Sequence, residues 1–194
     1  MVAHIMKLGR DDKVLYACSA PGGKACHMAE ILSPEGQVDA TDIHLHKIDL
    51  IQHNIKKLKL DNIHAFQHDA TEPYKEMYDK ILVDAPCSGL GVLRHKPEIK
   101  YTQTQDSIQS LVDLQLQILE NIKHNIKSGG TITYSTCTIE QMENENVIYT
   151  FLKQNEEFEF EPFQHPVTGK QVKTLQILPQ DFDSDGFFIT QIKR

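Results

Sequence analysis

Two cysteines stand where a nucleophile could be presented. Cys87 lies in Asp84-Ala85-Pro86-Cys87-Ser88-Gly89-Leu90-Gly91 and Cys137 in Tyr134-Ser135-Thr136-Cys137-Thr138, each directly after a short apolar run. A thiolate is accessible near neutral pH and intrinsically reactive. Most cysteines in a reducing compartment are small packing residues instead, but packing does not explain two of them in polar loops marked by Gly and Pro. The four cysteines are scattered and form no CxxC pair, so a disulfide framework of the small secreted kind is not expected. The ten histidines lack ligand spacing, and no metal is expected.

A second group of residues suits a small-molecule ligand. Cys18-Ser19-Ala20-Pro21-Gly22-Gly23-Lys24 follows the first apolar run, and its paired glycines let backbone approach a ligand closely. The helix that follows offers free N–H groups to a carboxylate or phosphate. The segment is neither a GxGxxG dinucleotide turn nor a P-loop. Asp42 ends the second run about 20 residues beyond the glycines, placed to accept hydrogen bonds from ribose hydroxyls. Asp69 follows the third run, where a carboxylate could reach the exocyclic amine of an adenine, and Asp84 follows the fourth. Acids after three consecutive strands, with no phosphate-cradling lysine motif, favour an adenosine carrying an amino acid over a nucleotide.

Such a ligand and a pair of thiols fit one reaction. Carbon 5 of cytosine is too weak a nucleophile to attack a methyl donor unaided. Addition of a thiolate to carbon 6 makes carbon 5 enamine-like, and a base must later remove the carbon-5 proton so that the thiolate can leave. Cys87, Cys137 and Asp84 form a coherent set for that sequence.

The elements that must position these residues alternate between strand and helix. Apolar runs at Lys13–Ala17, Gln37–Thr41, Ile63–Gln67, Lys80–Val83 and Thr131–Tyr134 are predicted strands. Helices are predicted from Lys24 to Leu32, from His44 to Leu58 and from Ile139 to Leu152. A longer one runs through Ile108, Leu111, Leu114, Ile118 and Ile122 and is stopped by Ser128-Gly129-Gly130. The tail from Phe158 adds two or more strands without a long helix between them. The pattern implies an α/β fold with a mostly parallel sheet covered on both faces and an antiparallel hairpin at one edge. Ligands bind at the carboxyl ends of strands in such sheets, and every unusual segment falls there.

Composition sets limits. With 194 residues, 40% hydrophobic and 24% charged, the chain suits one globular domain. No apolar run nears the ~18 to 20 residues that span a bilayer, and no secretory leader is evident, so a cytoplasmic monomer without membrane contact is the default. A net charge of −7 counts against nucleic-acid binding by composition alone. A local basic patch, Arg94-His95-Lys96-Pro97-Glu98-Ile99-Lys100, partly answers this, with Arg94, His95, Lys96 and Lys100 suited to RNA phosphates.

Ala20-Pro21-Gly22-Gly23-Lys24, Asp84-Ala85-Pro86-Cys87-Ser88-Gly89, Ser135-Thr136-Cys137 and Glu143-Asn144-Glu145 stand in the order found in RNA 5-methylcytosine methyltransferases. The chain resembles that Nol1/Nop2/Sun superfamily over nearly its whole length. Leu175-Gln176-Ile177-Leu178-Pro179 with Asp185-Gly186-Phe187-Phe188 is similar to the bacterial Sun-type branch, which acts on 16S rRNA. The resemblance implies a Rossmann-like class I S-adenosylmethionine-dependent methyltransferase fold with a seven-stranded sheet. It also implies that Cys18 through Lys24, Asp42, Asp69 and Asp84 bind S-adenosylmethionine, that Cys137 is the nucleophile and that Cys87 assists product release. Asp84 would also hold the cytosine edge, and the base would be turned out of its stack.

The chain departs from the family at Tyr16, where an Asp is usual. It departs again at His95 and Glu98, where Arg and Asp are frequent. An N-terminal RNA-binding region and a NusB-like domain belong to the family pattern and lie outside these residues, so 1–194 is expected to be a catalytic domain excised from a longer protein. Four rivals stand beside this reading. Adenine amino-group enzymes carry Asp/Asn-Pro-Pro-Tyr after strand four, against which Asp84-Ala85-Pro86-Cys87 speaks. DNA cytosine enzymes place the nucleophile in a Pro-Cys after strand four, the position of Cys87. A tRNA cytosine methyltransferase or a non-catalytic cofactor-binding scaffold for ribosome assembly completes the set.

Overall fold

The computed structural model describes residues 1–194. Its centre is a sheet of five parallel strands: β1 (Lys13–Ala17), β2 (Gln37–Asp42), β3 (Ile63–Gln67), β4 (Tyr78–Asp84) and β5 (Ile126–Thr136). The chain then forms β6 (Glu159–Phe160), β7 (Phe163–Gln164), β8 (Gln171–Val172), β9 (Thr174–Ile177) and β10 (Phe187–Lys193). The helices are α1 (Val2–Ile5), α2 (Gly23–Ile31), α3 (Leu45–Leu58), α4 (Ile99–Thr102), α5 (Gln105–Ile122), α6 (Glu145–Gln154) and α7 (Pro179–Phe182).

Strand order is β3-β2-β1-β4-β5-β10, with β10 antiparallel to β5. Connections run outward in opposite senses from β1 and β4, so the sheet has its topological switch point between them.

Alternation along the strands explains the layers. Leu15 and Ala17 of β1 and Ile81 and Val83 of β4 turn to the face covered by Ile118, Leu119 and Ile122 of α5 and Val147, Ile148 and Phe151 of α6. Val14, Tyr16 and Leu82 turn to the opposite face, against Ala25, Met28 and Ala29 of α2 and Ile48 and Ile51 of α3. Strands buried on both faces must be apolar at every position, which is why these runs are continuous rather than alternating.

Three expectations need adjustment. The sheet has eight strands rather than seven, because two short strands share the place beyond β10: β9 pairs with Phe187–Thr190 and β6 with Ile192–Lys193. A separate ribbon joins β7 to β8. Ser128-Gly129-Gly130 does not stop a helix but lies inside β5, where the register slips between Tyr78↔Ile126 and Lys80↔Thr131. Gly129 holds φ +76° at that irregularity, a conformation that serves a bulge as well as a helix end. Residues 139–144 are not helical: the chain turns at 141–144, and α6 begins only at Glu145. The side chains of Glu143 and Asn144 are drawn inward to polar partners rather than along a helix surface.

Candidate active site

Five strand ends converge on one side of the molecule. After β1 the chain turns at Cys18, whose φ is +57°. Ser19 follows, fully buried, with its N–H on the Thr41 carbonyl at 2.8 Å and its Oγ without a partner. Gly22 closes the turn at φ +96°, against Ile51 of α3; a Cβ there would lie 3.0 Å from the Ile51 methyl, so both conformation and space demand glycine.

Cys18, Asp42, His44, Asp69, Pro86 and Leu114 are among the residues lining a cavity of about 230 Å³ beside this turn. Asp42 Oδ1 accepts the His44 N–H at 3.2 Å and lies 3.5 Å from the Lys47 ammonium. Asp69 Oδ1 accepts the Thr71 N–H and hydroxyl, which hold its pKa below the ordinary carboxylate value. Each acid is therefore fixed through one oxygen while its residue lines the cavity. Burial, with Asp42 and Asp84 nearby, pushes the Cys18 thiol up to about 12, so Cys18 is a neutral wall and not a nucleophile.

Beyond β4 and β5 the two cysteine loops run side by side. Asp84 pairs with Ser135 in the sheet register, and the Ala85 N–H bonds the Ser135 carbonyl at 2.8 Å. The Cys87 and Cys137 sulfurs then meet at 3.4 Å. The Cys87 S–H hydrogen-bonds the Cys137 sulfur and stabilises its thiolate, lowering the Cys137 pKa to about 7 against the effect of burial. Lys24 lowers it further and Asp84 raises it. Cys87, holding the shared proton and more deeply buried, is pushed up.

Asp84 is the hub between the two halves. Its carboxylate accepts the Tyr16 hydroxyl at 3.1 Å, the Ser135 hydroxyl at 2.9 Å and an ion pair from Lys24. Alkylation of Cys137 by iodoacetamide, followed by mass spectrometry, should accordingly rise with pH through a midpoint near 7, with Cys18 and Cys26 unreactive there.

A family model described as 16S rRNA methyltransferase RsmB/F matches residues 3–193. The chain belongs to that family. Among its relatives, the probable ribosomal RNA small subunit methyltransferase B of Bacillus subtilis is 41% identical over 204 residues, covering 100% of this chain and 46% of the relative. The Synechocystis protein of the same name is 37% identical over 202 residues, covering 100% of this chain and 45% of that protein. The chain thus spans under half the length of these relatives. The crystal structure of NSun6 from Pyrococcus horikoshii with SFG superposes with a TM-score of 0.87 at 28% identity, over 99% of this chain and 50% of the other. The fold is that of the class I S-adenosylmethionine-dependent methyltransferases.

In this RsmB/F chain the sequence-selected residues separate into three places. Cys18, Asp42 and Asp69 share the cavity, while Ser19 to Gly23 form the turn behind it. Lys24, the last residue of the motif, is not among the residues lining that cavity; its ammonium pairs with Asp84.

The basic patch is partly neutralised. Arg94 pairs with Asp183 at 3.0 Å and a His95 ring nitrogen lies 3.3 Å from the Asp185 carboxylate, leaving Lys96 and Lys100 exposed and unpaired.

Tyr16, at the family's Asp position, is 2% exposed and supports Asp84 from below through its hydroxyl. Removing that hydroxyl in Tyr16→Phe should cost about 1 kcal/mol. Tyr16→Asp should cost at least about 3 kcal/mol, because it empties a packed site and buries a second acid beside Asp84. Thermal unfolding of the two variants checks the order.

The residue missed by sequence reasoning is Glu143, which is 0% exposed. Its carboxylate accepts the Ser88 N–H at 2.8 Å, the Gln115 side-chain N–H at 3.1 Å and the Ser88 hydroxyl. The Glu143-Asn144-Glu145 motif was the available signal, but within a helical pattern an acid is most simply a solvated residue.

Proposed function

We propose that this domain transfers a methyl group from S-adenosylmethionine to carbon 5 of a cytosine in small-subunit ribosomal RNA, through a covalent bond to Cys137. The observation that carries the reading is the Cys87–Cys137 pair, 3.4 Å apart and adjoining Asp84, next to a cavity walled by Asp42 and Asp69. The RsmB/F family and the names of its relatives support ribosomal RNA as substrate. The relative with SFG, an analogue of S-adenosylmethionine, supports the cofactor.

The residues fit that cofactor. Asp42 suits the ribose hydroxyls, Asp69 the adenine amine, and the Gly22 turn with the buried, unpartnered Ser19 hydroxyl suits the amino-acid end. When bound, the cofactor supplies an electrophilic methyl group.

The chain's own groups do the rest. The Cys137 thiolate adds to carbon 6, and the electrons displaced from the 5,6 double bond make carbon 5 nucleophilic. Lys24 and Asp84 offer a donor and an acceptor to the cytosine edge. After methylation a base, for which the Asp84 carboxylate is at hand, takes the carbon-5 proton; the C–H electrons restore the double bond and expel the Cys137 thiolate, which the Cys87 S–H stabilises as it leaves. Exposed Lys96 and Lys100 suit phosphates. RNA contacts from the parts of the longer relatives beyond this chain would complete an acidic domain's grip. The setting is the cytoplasm.

Calorimetric titration with S-adenosylmethionine should give saturable binding, and NAD none. Asp42→Ala should weaken the former about tenfold to a hundredfold by removing a hydrogen-bonded carboxylate. Bisulfite sequencing of 16S rRNA incubated with the domain and cofactor should report a protected cytosine. S-adenosylmethionine binding with no protected base in 16S rRNA or tRNA would favour a scaffold.

A further inference from the structure

The two loops that carry the thiols are joined by more than their sulfurs. Cys87 faces Cys137, and one residue further along each loop Ser88 Oγ faces Thr138 Oγ1 at 2.8 Å. The contacts form two rungs of one ladder, each linking residues 50 apart in sequence. The second rung ends on Glu143, which takes both the N–H and the hydroxyl of Ser88. Gln115 of α5 donates to the same carboxylate at 3.1 Å and to the Pro86 carbonyl at 2.9 Å, so the residue before Cys87 and the residue after it hang on one frame. On the Cys137 side, Asn144 donates to the Thr138 carbonyl at 3.1 Å and accepts the Thr136 hydroxyl at 2.5 Å. The Tyr134 hydroxyl donates to the Glu143 carbonyl at 2.7 Å.

Burial makes the arrangement demanding. Ser88, Thr138, Glu143 and Asn144 are all at most 2% exposed, so water cannot replace a lost partner without rearrangement. A buried network of this kind, with only the Gln115 Oε1 lacking a partner, fixes one geometry. An ionised carboxylate can only accept, and its three donors all come from the Cys87 loop and the helix behind it. No atom of Glu143 bonds either sulfur.

We propose that Glu143 is a positioning residue: through Ser88 and Thr138 it sets the distance between the Cys87 and Cys137 sulfurs and thereby keeps Cys137 reactive. The contribution to turnover rests on the function proposed above; the positioning of the sulfurs does not.

The test uses the whole chain and needs no RNA for its first arm. Iodoacetamide labelling of Cys137 is followed by mass spectrometry across pH in wild type, Glu143→Gln and Ser88→Ala, with circular dichroism to verify folding. Glu143→Gln keeps the volume but puts an amide where an acceptor of three donors is needed. The expected result is a labelling midpoint displaced from near 7 toward the ordinary thiol value of about 8.5, a roughly tenfold slower reaction at pH 7, and new labelling of Cys87. Ser88→Ala breaks the rung without removing the carboxylate and should move the midpoint the same way, so it decides the matter if Glu143→Gln does not fold. A folded variant that labels as wild type overturns the proposal.

A second arm measures methyl transfer to 16S rRNA. Here the proposal predicts a fall in kcat with KM for S-adenosylmethionine unchanged, and partial rescue by Glu143→Asp. If wild type transfers no methyl group while the labelling shift is present, the functional reading fails and the positioning stands.

Discussion

Replacing Cys137 with alanine is expected to abolish methyl transfer to RNA, lowering the rate by at least about a thousandfold. In the proposed mechanism carbon 5 of the cytosine is not activated without the thiolate, and no neighbouring group is placed to substitute for it. Cys87 lies 3.4 Å away, but it is the more buried sulfur and its pKa is pushed up. Cys18, in the cavity wall, is neutral at any physiological pH. Incorporation of labelled methyl into 16S rRNA, alongside denaturing gels for a protein–RNA band, checks both halves of the expectation. A retained covalent band in Cys137→Ala would move the nucleophile to Cys87, the position used when a Pro-Cys after strand four attacks. S-adenosylmethionine binding should be unchanged, since Cys137 is absent from the residues that line the cavity.

Replacing Cys87 with alanine should have the opposite signature. In the proposed mechanism addition to carbon 6 still occurs, but the sulfur that must leave has lost the neighbouring thiol that would stabilise it as a thiolate. A protein–RNA adduct should then accumulate to near-stoichiometric amounts, resistant to denaturant, while turnover falls by about a hundredfold or more. Two effects compete in this variant. The same hydrogen bond that aids departure also lowers the Cys137 pKa to about 7, so its removal slows attack at neutral pH as well. Raising the pH should restore the rate of adduct formation and leave its breakdown slow. Turnover indistinguishable from wild type would remove Cys87 from the reaction.

How much of this was legible beforehand depends on the kind of signal each residue leaves. Asp42, Asp84, Cys87 and Cys137 announce themselves because strand, turn and helix are local patterns, and a polar residue after an apolar run has one place to go. The alternating sheet follows from the same periodicities, and so does the convergence of strand ends. What stayed hidden are partnerships across long separations. Lys24 stands in a glycine motif and looks like part of a ligand loop, yet it is turned to Asp84, 60 residues on. Arg94 looks like a free cation and His95 like a free ring until the tail returns Asp183 and Asp185 to them. Tyr16 seemed a poor exchange for an acid, whereas its depth in the sheet lets a phenol reach Asp84 from below. Glu143 is the clearest case: its neighbours Ile139 and Val147 suggest a helix face with the acid in water, and only the turn at 140–144 swings it inside. Ser128-Gly129-Gly130 failed as a helix stop for a related reason, since the positive φ of Gly129 serves bulges and helix ends alike.

The position of β10 has a consequence for how the enzyme is made. This strand is the last of the sheet in chain order, yet it is inserted between β5 and the short strands β6 and β9. Just before it, the Gly186 N–H bonds the Gly91 carbonyl at 2.8 Å, and Gly91 in turn bonds the Cys137 carbonyl at 3.0 Å. A Cβ on Gly91 would lie 2.4 Å from the Gly186 oxygen, so the two backbones cross in contact. During synthesis the first five strands leave the ribosome with β5 as an open edge and the Gly91–Gly186 contact unmade. The frame of Ser88, Thr138 and Glu143 has emerged by then, but closure of the sheet over β5 waits for residues 186–193 to thread in, a non-local pairing of the slow kind. A ribosome stalled before β10 would hold a domain with its thiol frame in hand and one edge of its sheet still open.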